Sequence, residues 1–533
     1  MEYIEYDEDG TLFKAHDVEG QFEIPNSVKR INSWAFSDCK GLTGIHIPES
    51  VQEISWGAFS GCTRLKSIEI PNSIKWISDK MFMGCTGLTH VKLPDSLVGI
   101  GCNAFSGCTK LCDIHIPKGV SEIEAEAFSG CISLTDIEVP FLYTLGDSVF
   151  KGCTSLKYAQ ICQEKIPRST FEGCIKLRKV DLAESAYEIG GCAFKDCIEL
   201  TNIELPDTIL DIRYGAFEGC VGLKNIHLPS RLDELGPRSF FGCKSLENIQ
   251  IYQCEKIGHE AFSECTCLTD LKIEYCEEIG SHAFSGCSSL TTIKIPDDVK
   301  VINNIFIGCS RVKNPVILEQ DRRPAVMNCW LSGPCFIHLP ENFEGNYSIP
   351  DGVVAICNDA FSDCAKLSSV IIPGSVKIIG DGSFRNCKIL NNIELPNQLV
   401  DIGGFAFSGC TSLTSIKIPD SIKEIGWGVF SGCTKLKDIQ LPDSLKVIYD
   451  ATFENCINLR KIKLPNSIQK IYDRAFYGCS TLTNINIPNS LTWIGKQVIE
   501  GCTELEKVNP SVYQRFTSYE DDDEEDDEIY FWE

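Results

Sequence analysis

The sequence lacks the features that mark several common protein classes. No stretch of its 533 residues approaches the ~18 consecutive apolar residues that a membrane-spanning helix needs. Residues 1–10 contain neither a basic segment nor an apolar one, so no secretory signal is visible. Basic residues are also too few for a phosphate-binding face, since 49 lysines and arginines stand against 74 aspartates and glutamates. We therefore expect a soluble, cytoplasmic protein that binds no nucleic acid and inserts into no membrane.

Catalytic and metal-binding motifs are equally scarce. The eight histidines include no pair at His-x-x-x-His spacing, and no Cys-x-x-Cys motif occurs, with Cys265-x-Cys267 the nearest approach. No Gly-x-Ser-x-Gly, Walker loop or dinucleotide fingerprint is present. The sequence predicts no catalytic residue, no cofactor and no metal, and hence a protein that is not an enzyme.

Cysteine, by contrast, is abundant and periodic. Twenty of the 30 cysteines form two runs, in which thirteen of the eighteen intervals are 23 residues and the others 21 or 22. A phenylalanine stands three positions before each of these cysteines except the last, where Ile499 replaces it. A fixed period of this length is typical of a solenoid, in which each repeat contacts only its neighbours. The runs comprise Cys39, Cys62, Cys85, Cys108, Cys131, Cys153, Cys174, Cys197, Cys220, Cys243, Cys265, Cys287 and Cys309, then Cys364, Cys387, Cys410, Cys433, Cys456, Cys479 and Cys502.

A single repeat, residues 65–85, indicates how each coil is built. Its Leu-x-x-Ile-x-Ile segment alternates, which predicts a short strand with Ile68 and Ile70 facing inwards and Glu69 outwards. Pro71 ends this strand, and a second short extended segment follows it. The closing segment, most often Ala-Phe-x-Gly-Cys, predicts a tight or 3₁₀ turn whose glycine allows positive φ.

This pattern resembles the BspA-type leucine-rich repeat family, whose repeats read roughly Leu-x-x-Ile-x-Ile-Pro-x-Ser-Val-x-x-Ile-Gly-x-x-Ala-Phe-x-Gly-Cys. Residues 415–433 match it nearly residue for residue, and the resemblance extends over residues 24–508. It implies a β-rich repeat solenoid, a leucine-rich-repeat horseshoe or superhelix, with short parallel strands. It also implies an alternative function and location, namely a cell-surface or secreted adhesin that binds host matrix or other cells.

The 55-residue interval between Cys309 and Cys364 is too long for one repeat. Within it, residues 343–353 echo residues 18–28, and both segments look like covers for the open end of a solenoid. Two interpretations remain open: two arrays, or one unbroken superhelix with a long loop. The two-array interpretation divides the chain into an N-terminal cap (1–23), about thirteen repeats (24–317), an irregular junction and second cap (318–348), about seven repeats (349–510) and an acidic, disordered tail (511–533).

The acidic run at 520–528 is followed by aromatic residues at 529–532. Blocks of like charge are normally disordered. The segment is either a solubilising tail or a docking peptide, and the sequence leaves both interpretations open.

The periodic cysteines allow two redox states. Neighbouring coils lie ~4.8 Å apart, so distance alone permits some disulfides. A cysteine in such a ladder also behaves as a small hydrophobic residue with a weak S–H donor, and parallel side chains do not point at each other. With no export signal visible, we expect a reduced and buried column.

The exposed strand positions vary from repeat to repeat while the core positions are fixed. Such variation fits a protein-recognition surface, and it equally fits unconstrained positions that face solvent. His46, Glu69 and Lys92 occupy this row in three successive repeats. We take them as candidate partner-binding residues.

Tryptophan is concentrated in the first three repeats, as Trp34, Trp56 and Trp76. The three residues form either a binding patch or a shield for the end of the solenoid. Together with the exposed strand row, they favour a non-enzymatic scaffold that binds a protein partner. We expect this scaffold to be a monomer.

Overall fold

The protein is a parallel β-solenoid of about twenty coils, which confirms the predicted fold class. It divides into two compact units, Met1–Pro296 and Asp297–Glu533. The acidic run at 520–528 and the junction residues 321–324, Cys329 and Trp330 lie outside the described residues. The computed structural model describes residues 3–16, 18–296, 299–301, 305–306, 308–309, 316–318 and 335–517.

Most coils carry two short strands, and the first of them shows the predicted alternation. In Ser67–Glu69, Ile68 is buried while the residues on either side of it are exposed. This strand pairs in parallel with the next first strand, and Ile68 lies opposite Val91. Because the pairing is in register, each inward residue stacks on its equivalent in the next coil, and the coils share one core.

The first unit contains both rows of strands. Its first-strand row comprises Glu19–Glu23, Gly41–His46, Ser67–Glu69, His90–Lys92, Asp136–Val139, Tyr158–Ile161, Lys179–Leu182, Asn202–Glu204, Asn225–His227, Asn248–Ile251, Asp270–Ile273 and Thr292–Lys294. Its second-strand row, preceded by Tyr3–Tyr6, comprises Thr11–His16, Arg30–Ile31, Glu53–Ile54, Trp76–Ile77, Gly99–Ile100, Glu122–Ile123, Thr144–Leu145, Lys165–Ile166, Glu188–Ile189, Asp211–Ile212, Leu232–Leu235, Cys254–Ile257 and Cys276–Ile279.

The second unit repeats this arrangement with fewer coils. Its first-strand row comprises Gly345–Ser348, Leu367–Ile371, Asn392–Ile393, Ser415–Lys417, Asp438–Gln440, Lys461–Ile462 and Asn484–Ile485. Its second-strand row comprises Cys335–His338, Ala355–Ile356, Ile378–Ile379, Asp401–Ile402, Val447–Ile448, Lys470–Ile471 and Trp493–Ile494, with Lys300–Val301 and Val316–Leu318 before them.

Both units contain an antiparallel strand pair beside their first coils. Thr11–His16 also pairs in parallel with Arg30–Ile31, and Cys335–His338 with Ala355–Ile356. One strand of each antiparallel pair therefore belongs to the second-strand row of its unit. Leu12 and Phe336, one from each pair, are fully buried. The strands Cys335–His338 and Gly345–Ser348, which the sequence interpretation placed in the junction and second cap, pair in parallel with the strands of the next coil. The pairs join Tyr3–Tyr6 to Thr11–His16 and Val316–Leu318 to Cys335–His338.

The phenylalanines stack in a column inside each unit. From Phe36 to Phe284 successive ring centroids lie 5.1–5.7 Å apart, with interplanar angles of at most 18°. From Phe336 to Phe476 the separation is 4.7–5.8 Å. Offset stacking of this kind adds ~0.5–1.5 kcal/mol per pair beyond the burial itself. Ile499, which replaces the last phenylalanine, is also fully buried.

The periodic cysteines form a second column, and their thiols are hydrogen-bond donors. From Cys62 to Cys287, and again from Cys387 to Cys502, each Sγ lies 3.0–3.2 Å from the carbonyl oxygen of the column phenylalanine in the preceding coil. Each thiol therefore forms a hydrogen bond between neighbouring coils, and it also fills a small apolar space.

The closing turn of the coil uses two backbone positions with positive φ. The first lies two residues before the column phenylalanine and accepts many side chains, such as Arg238 at φ 56°. The second lies directly before the column cysteine and is usually glycine, such as Gly242 at φ 70°. The second position was predicted from the glycine. The first was not, because no residue type marks it.

Two helices end the second unit, Thr503–Val508 (α1) and Pro510–Thr517 (α2). Leu505 of α1 and Phe516 of α2 are fully buried against the core of the last coils. Residues 511–517, which the sequence interpretation assigned to the disordered tail, are therefore helical, because Phe516 gives α2 an apolar side chain to bury. Among the described residues, no helix has the length and apolarity needed to cross a membrane.

Candidate functional site

The candidate residues of the exposed strand row come together in one open groove of about 580 Å³. His46, Glu69 and Lys92 stand at the ends of three neighbouring first strands, and all three are exposed. Glu69 and Lys92 are directly opposite each other in the ladder. The strand ladder thus places these side chains beside one another, and we call this surface the first-strand groove.

The first-strand groove carries charged side chains of both signs, and these side chains are exposed to water. Lys92 Nζ donates a hydrogen bond to the Glu69 carboxylate, and this bond raises the pKa of the Lys92 ammonium. Both side chains are exposed to water, so their pairing contributes little to stability. The groove therefore presents one cation, Lys92, beside three carboxylates, those of Glu49, Glu69 and Asp95.

The edge of the first-strand groove is held by hydrogen bonds between coils. The amide N–H groups of Asn72 and Ser73 donate to the Glu49 carboxylate at 3.3 Å each. Ser73 Oγ donates to the Val51 carbonyl at 2.5 Å, and Ser96 Oγ donates to the Asn72 carbonyl at 2.8 Å. These bonds link the connectors of successive coils and make the edge of the groove a preorganised surface.

The three candidate tryptophans occupy two different places on the coil. The rings of Trp34 and Trp56 meet edge to face with centroids 5.6 Å apart, and both residues lie in closing turns. Trp76 belongs to the second-strand row, where its ring packs on Gly99 of the neighbouring strand. A Cβ at position 99 would collide with the Trp76 ring. The structure therefore pairs Trp34 with Trp56 and places Trp76 in another row of the solenoid.

Sequence reasoning missed an exposed aromatic surface in the middle of the first unit. Tyr143 is 86% exposed and Phe141 is 59% exposed, with ring centroids 6.4 Å apart. Together with Lys165 and Tyr187 they line an open groove of about 400 Å³. The sequence marks the place, because the cysteine intervals here contract to 22 and 21 residues, but it does not give the conformation of the connector. The contraction shortens the connector between the two strands of the coil.

Among the described residues, one group of three could hold a metal ion: Asp79, Cys102 and Glu124, with ligand atoms within 4.8 Å of one another. The Cys102 N–H donates to Asp79 Oδ1 at 3.1 Å and to Glu124 Oε2 at 3.0 Å. Burial, aided by the Glu124 carboxylate, raises the pKa of the Cys102 thiol to about 11 and keeps it protonated. The group links three coils, and its members stand about one repeat apart, a spacing that no metal-binding motif marks in the sequence.

A comparison with protein-family models matches this chain to the BspA type leucine-rich repeat region. The match spans residues 11–101, 75–201, 188–313, 342–456 and 423–519, which is well over half of the chain. The chain belongs to the BspA-type leucine-rich repeat family. This confirms the resemblance read from the repeat, and leucine-rich repeat solenoids of this kind are generally non-enzymatic.

Solved structures of other leucine-rich repeat proteins are similar to this member of the family. A protein from Bacteroides ovatus is 25% identical, with 93% of this chain and 98% of that chain covered and a TM-score of 0.36. The T. pallidum leucine-rich repeat protein is 32% identical over 34% of this chain and 87% of its own, with a TM-score of 0.33. A leucine-rich cell surface protein from Faecalibacterium prausnitzii is 22% identical, with coverage of 95% and 93% and a TM-score of 0.23.

The family assignment rests on the family-model match, since every one of these TM-scores is below 0.5. A comparison with curated proteins found no match.

Proposed function

We propose that the protein is a non-enzymatic scaffold that binds a protein partner through its first-strand face. The observation that carries this proposal is the first-strand groove, where His46, Glu69 and Lys92 lie side by side on a preorganised ladder. A rigid surface loses little conformational entropy on binding, which favours affinity.

The form of the groove favours a macromolecular partner over a small molecule. Small-molecule sites are concave, largely apolar and enclosed, whereas this groove is open and lined by charged side chains such as Glu69 and Lys92. A stable protein interface buries ~800 Å² on each side, so several neighbouring coils must contribute. The exposed residues of successive first strands provide such a continuous surface.

The proposal is tested by capture of the partner with matched variants of the full chain. The first variant, Glu69→Lys with Lys92→Glu, reverses the charges of this ion pair in the groove and keeps the net charge. The control, Glu122→Lys with Lys75→Glu, makes the same changes on the second-strand side, in two coils that have one coil between them. Quantitative mass spectrometry of the captured proteins should show a partner retained by wild type and control, and lost at least tenfold from the groove variant.

A partner retained equally by all three chains would overturn the assignment of the binding face. Repeated failure to capture any partner under mild conditions would count against the scaffold itself. Protease treatment of intact cells separates the scaffold from the adhesin that the family implies as an alternative. An intracellular scaffold is protected, whereas an adhesin at the cell surface is cleaved.

A further inference from the structure

Three successive coils of the second unit, directly before its last coil, carry a cluster of positive charge on their first-strand face. All of its members are exposed, and none forms a salt bridge with another described residue. The first strands of these three coils contain one described acidic residue, Asp438. We call this surface the terminal basic cluster, and it consists of Lys417, Lys435, Lys437, Arg460, Lys461 and Lys463.

The terminal basic cluster is crowded and electrostatically unusual for this chain. The strands Ser415–Lys417, Asp438–Gln440 and Lys461–Ile462 belong to successive coils, which are ~4.8 Å apart. Six cations therefore share about 10 Å of solenoid, on a chain whose net charge is -25. Like charges at this spacing repel one another, and a bound anionic segment relieves the repulsion.

The chain itself supplies such a segment within reach. Phe516 is buried against the last coils, so α2 fixes the start of the C-terminal segment at the end of the second unit. The acidic run at 520–528 begins three residues after Thr517, where α2 ends. Nine extended residues span up to ~30 Å, which is ample for three coils.

We propose that the acidic run at 520–528 binds the terminal basic cluster of its own chain. Attachment through α2 holds the run at an effective concentration in the millimolar range. Several exposed charge pairs acting as a network exceed the small contribution of a single surface pair, and salt weakens them. The bound run covers this part of the first-strand face until salt or a competing anionic segment displaces it.

The test uses a fluorescent synthetic peptide of residues 518–533 and full-length chains. In one chain the nine acidic residues of 520–528 are replaced by asparagine and glutamine, which leaves the cluster empty. In fluorescence polarisation at low salt, the peptide should bind this neutral-tail chain at least tenfold more tightly than wild type, whose cluster is already occupied. The affinity for the neutral-tail chain should fall as salt is raised.

Charge-reversal variants identify the binding surface. Lys461→Glu with Lys463→Glu, in the neutral-tail chain, should weaken peptide binding at least tenfold. The matched control is Lys423→Glu with Lys470→Glu, which makes the same charge change at exposed lysines of the second-strand side. The control should bind within about twofold of the neutral-tail chain. Circular dichroism of each variant verifies that the solenoid remains folded.

Two results would overturn the proposal. Equal binding of the peptide to wild type and to the neutral-tail chain would show that the cluster of wild type is unoccupied. A wild-type dimer in sedimentation, lost in the neutral-tail chain, would show that the acidic run binds a second copy.

Discussion

At the scale of single residues, the column cysteines are explained by the size and weak polarity of the thiol. Each Sγ fills an apolar space and donates to a backbone carbonyl, as Cys433 does to Phe407 at 3.1 Å. Burial removes the thiolate from water and raises the pKa of the thiols of Cys85, Cys153 and Cys433 to about 12. The column therefore stays protonated and poorly reactive in the folded protein.

The raised thiol pKa predicts that stability falls in alkali. Between about pH 9 and pH 12 an unfolded thiol has lost its proton while a buried column thiol keeps it, so the unfolded state binds fewer protons. The free energy of unfolding then falls with rising pH by ~1.4 kcal/mol per thiol and pH unit. Below pH 9 both states are protonated and this loss is absent.

Cysteine variants measure this loss by urea unfolding under reducing conditions at pH 8 and pH 10. The decrease in unfolding free energy between the two pH values should be smaller by about 3 kcal/mol in Cys410→Ala with Cys433→Ala than in wild type. The control is Cys112→Ala with Cys267→Ala, which removes two exposed thiols and should leave the decrease unchanged. The same decrease in all three proteins would refute the explanation. A column that is oxidised in freshly made protein would also contradict the expected reducing compartment.

At the scale of the structural element, the closing turn favours glycine directly before the column cysteine, where φ is positive. Gly432 has φ 72°, and a Cβ there would make only ordinary contacts, 3.7 Å and 3.8 Å from Gly409. Gly374 lies in a connector, has no positive φ and has open space around its Cβ position. The two glycines therefore separate the cost of a left-handed backbone from the cost of crowding.

We expect opposite effects from alanine at these two glycines of the second unit. Gly432→Ala should destabilise the protein by about 1–2 kcal/mol, because the left-handed conformation penalises a Cβ. Gly374→Ala should stabilise it by about 0.4–1 kcal/mol, because alanine restricts the unfolded chain. Urea unfolding at pH 7 measures both. Equal effects of the two substitutions would show that φ does not decide the role of Gly432.

The repeating elements were predictable from the sequence, and the exceptions were not. Period and alternation predicted the strands and the phenylalanine and cysteine columns, because every coil repeats the same packing. The exposed pair Phe141 and Tyr143 depends on how a shortened connector folds, which the repeat pattern does not contain. In the candidate site, the row of His46, Glu69 and Lys92 was predictable from in-register stacking. The separation of Trp76 from the other tryptophans was not, since it depends on which part of the coil each one occupies.

At the scale of the whole molecule, the stability of a solenoid is a sum of coil and neighbour terms. A substitution in one coil is felt by the coils that stack on it and fades with distance along the array. Each of the two compact units has its own antiparallel pair and its own phenylalanine column. The two interpretations, two arrays or one unbroken superhelix, both stay predictions, and core substitutions separate them.

The two-array interpretation predicts that each unit responds to its own core substitution. Phe217 and Phe430 are fully buried and each stacks on two neighbours in its own unit. Replacement by alanine should cost about 3–5 kcal/mol in either case. In hydrogen exchange followed by mass spectrometry, Phe217→Ala should deprotect peptides of the first unit and leave those of residues 364–502 unchanged. Phe430→Ala should do the reverse, whereas deprotection of both units by either variant would favour one unbroken superhelix.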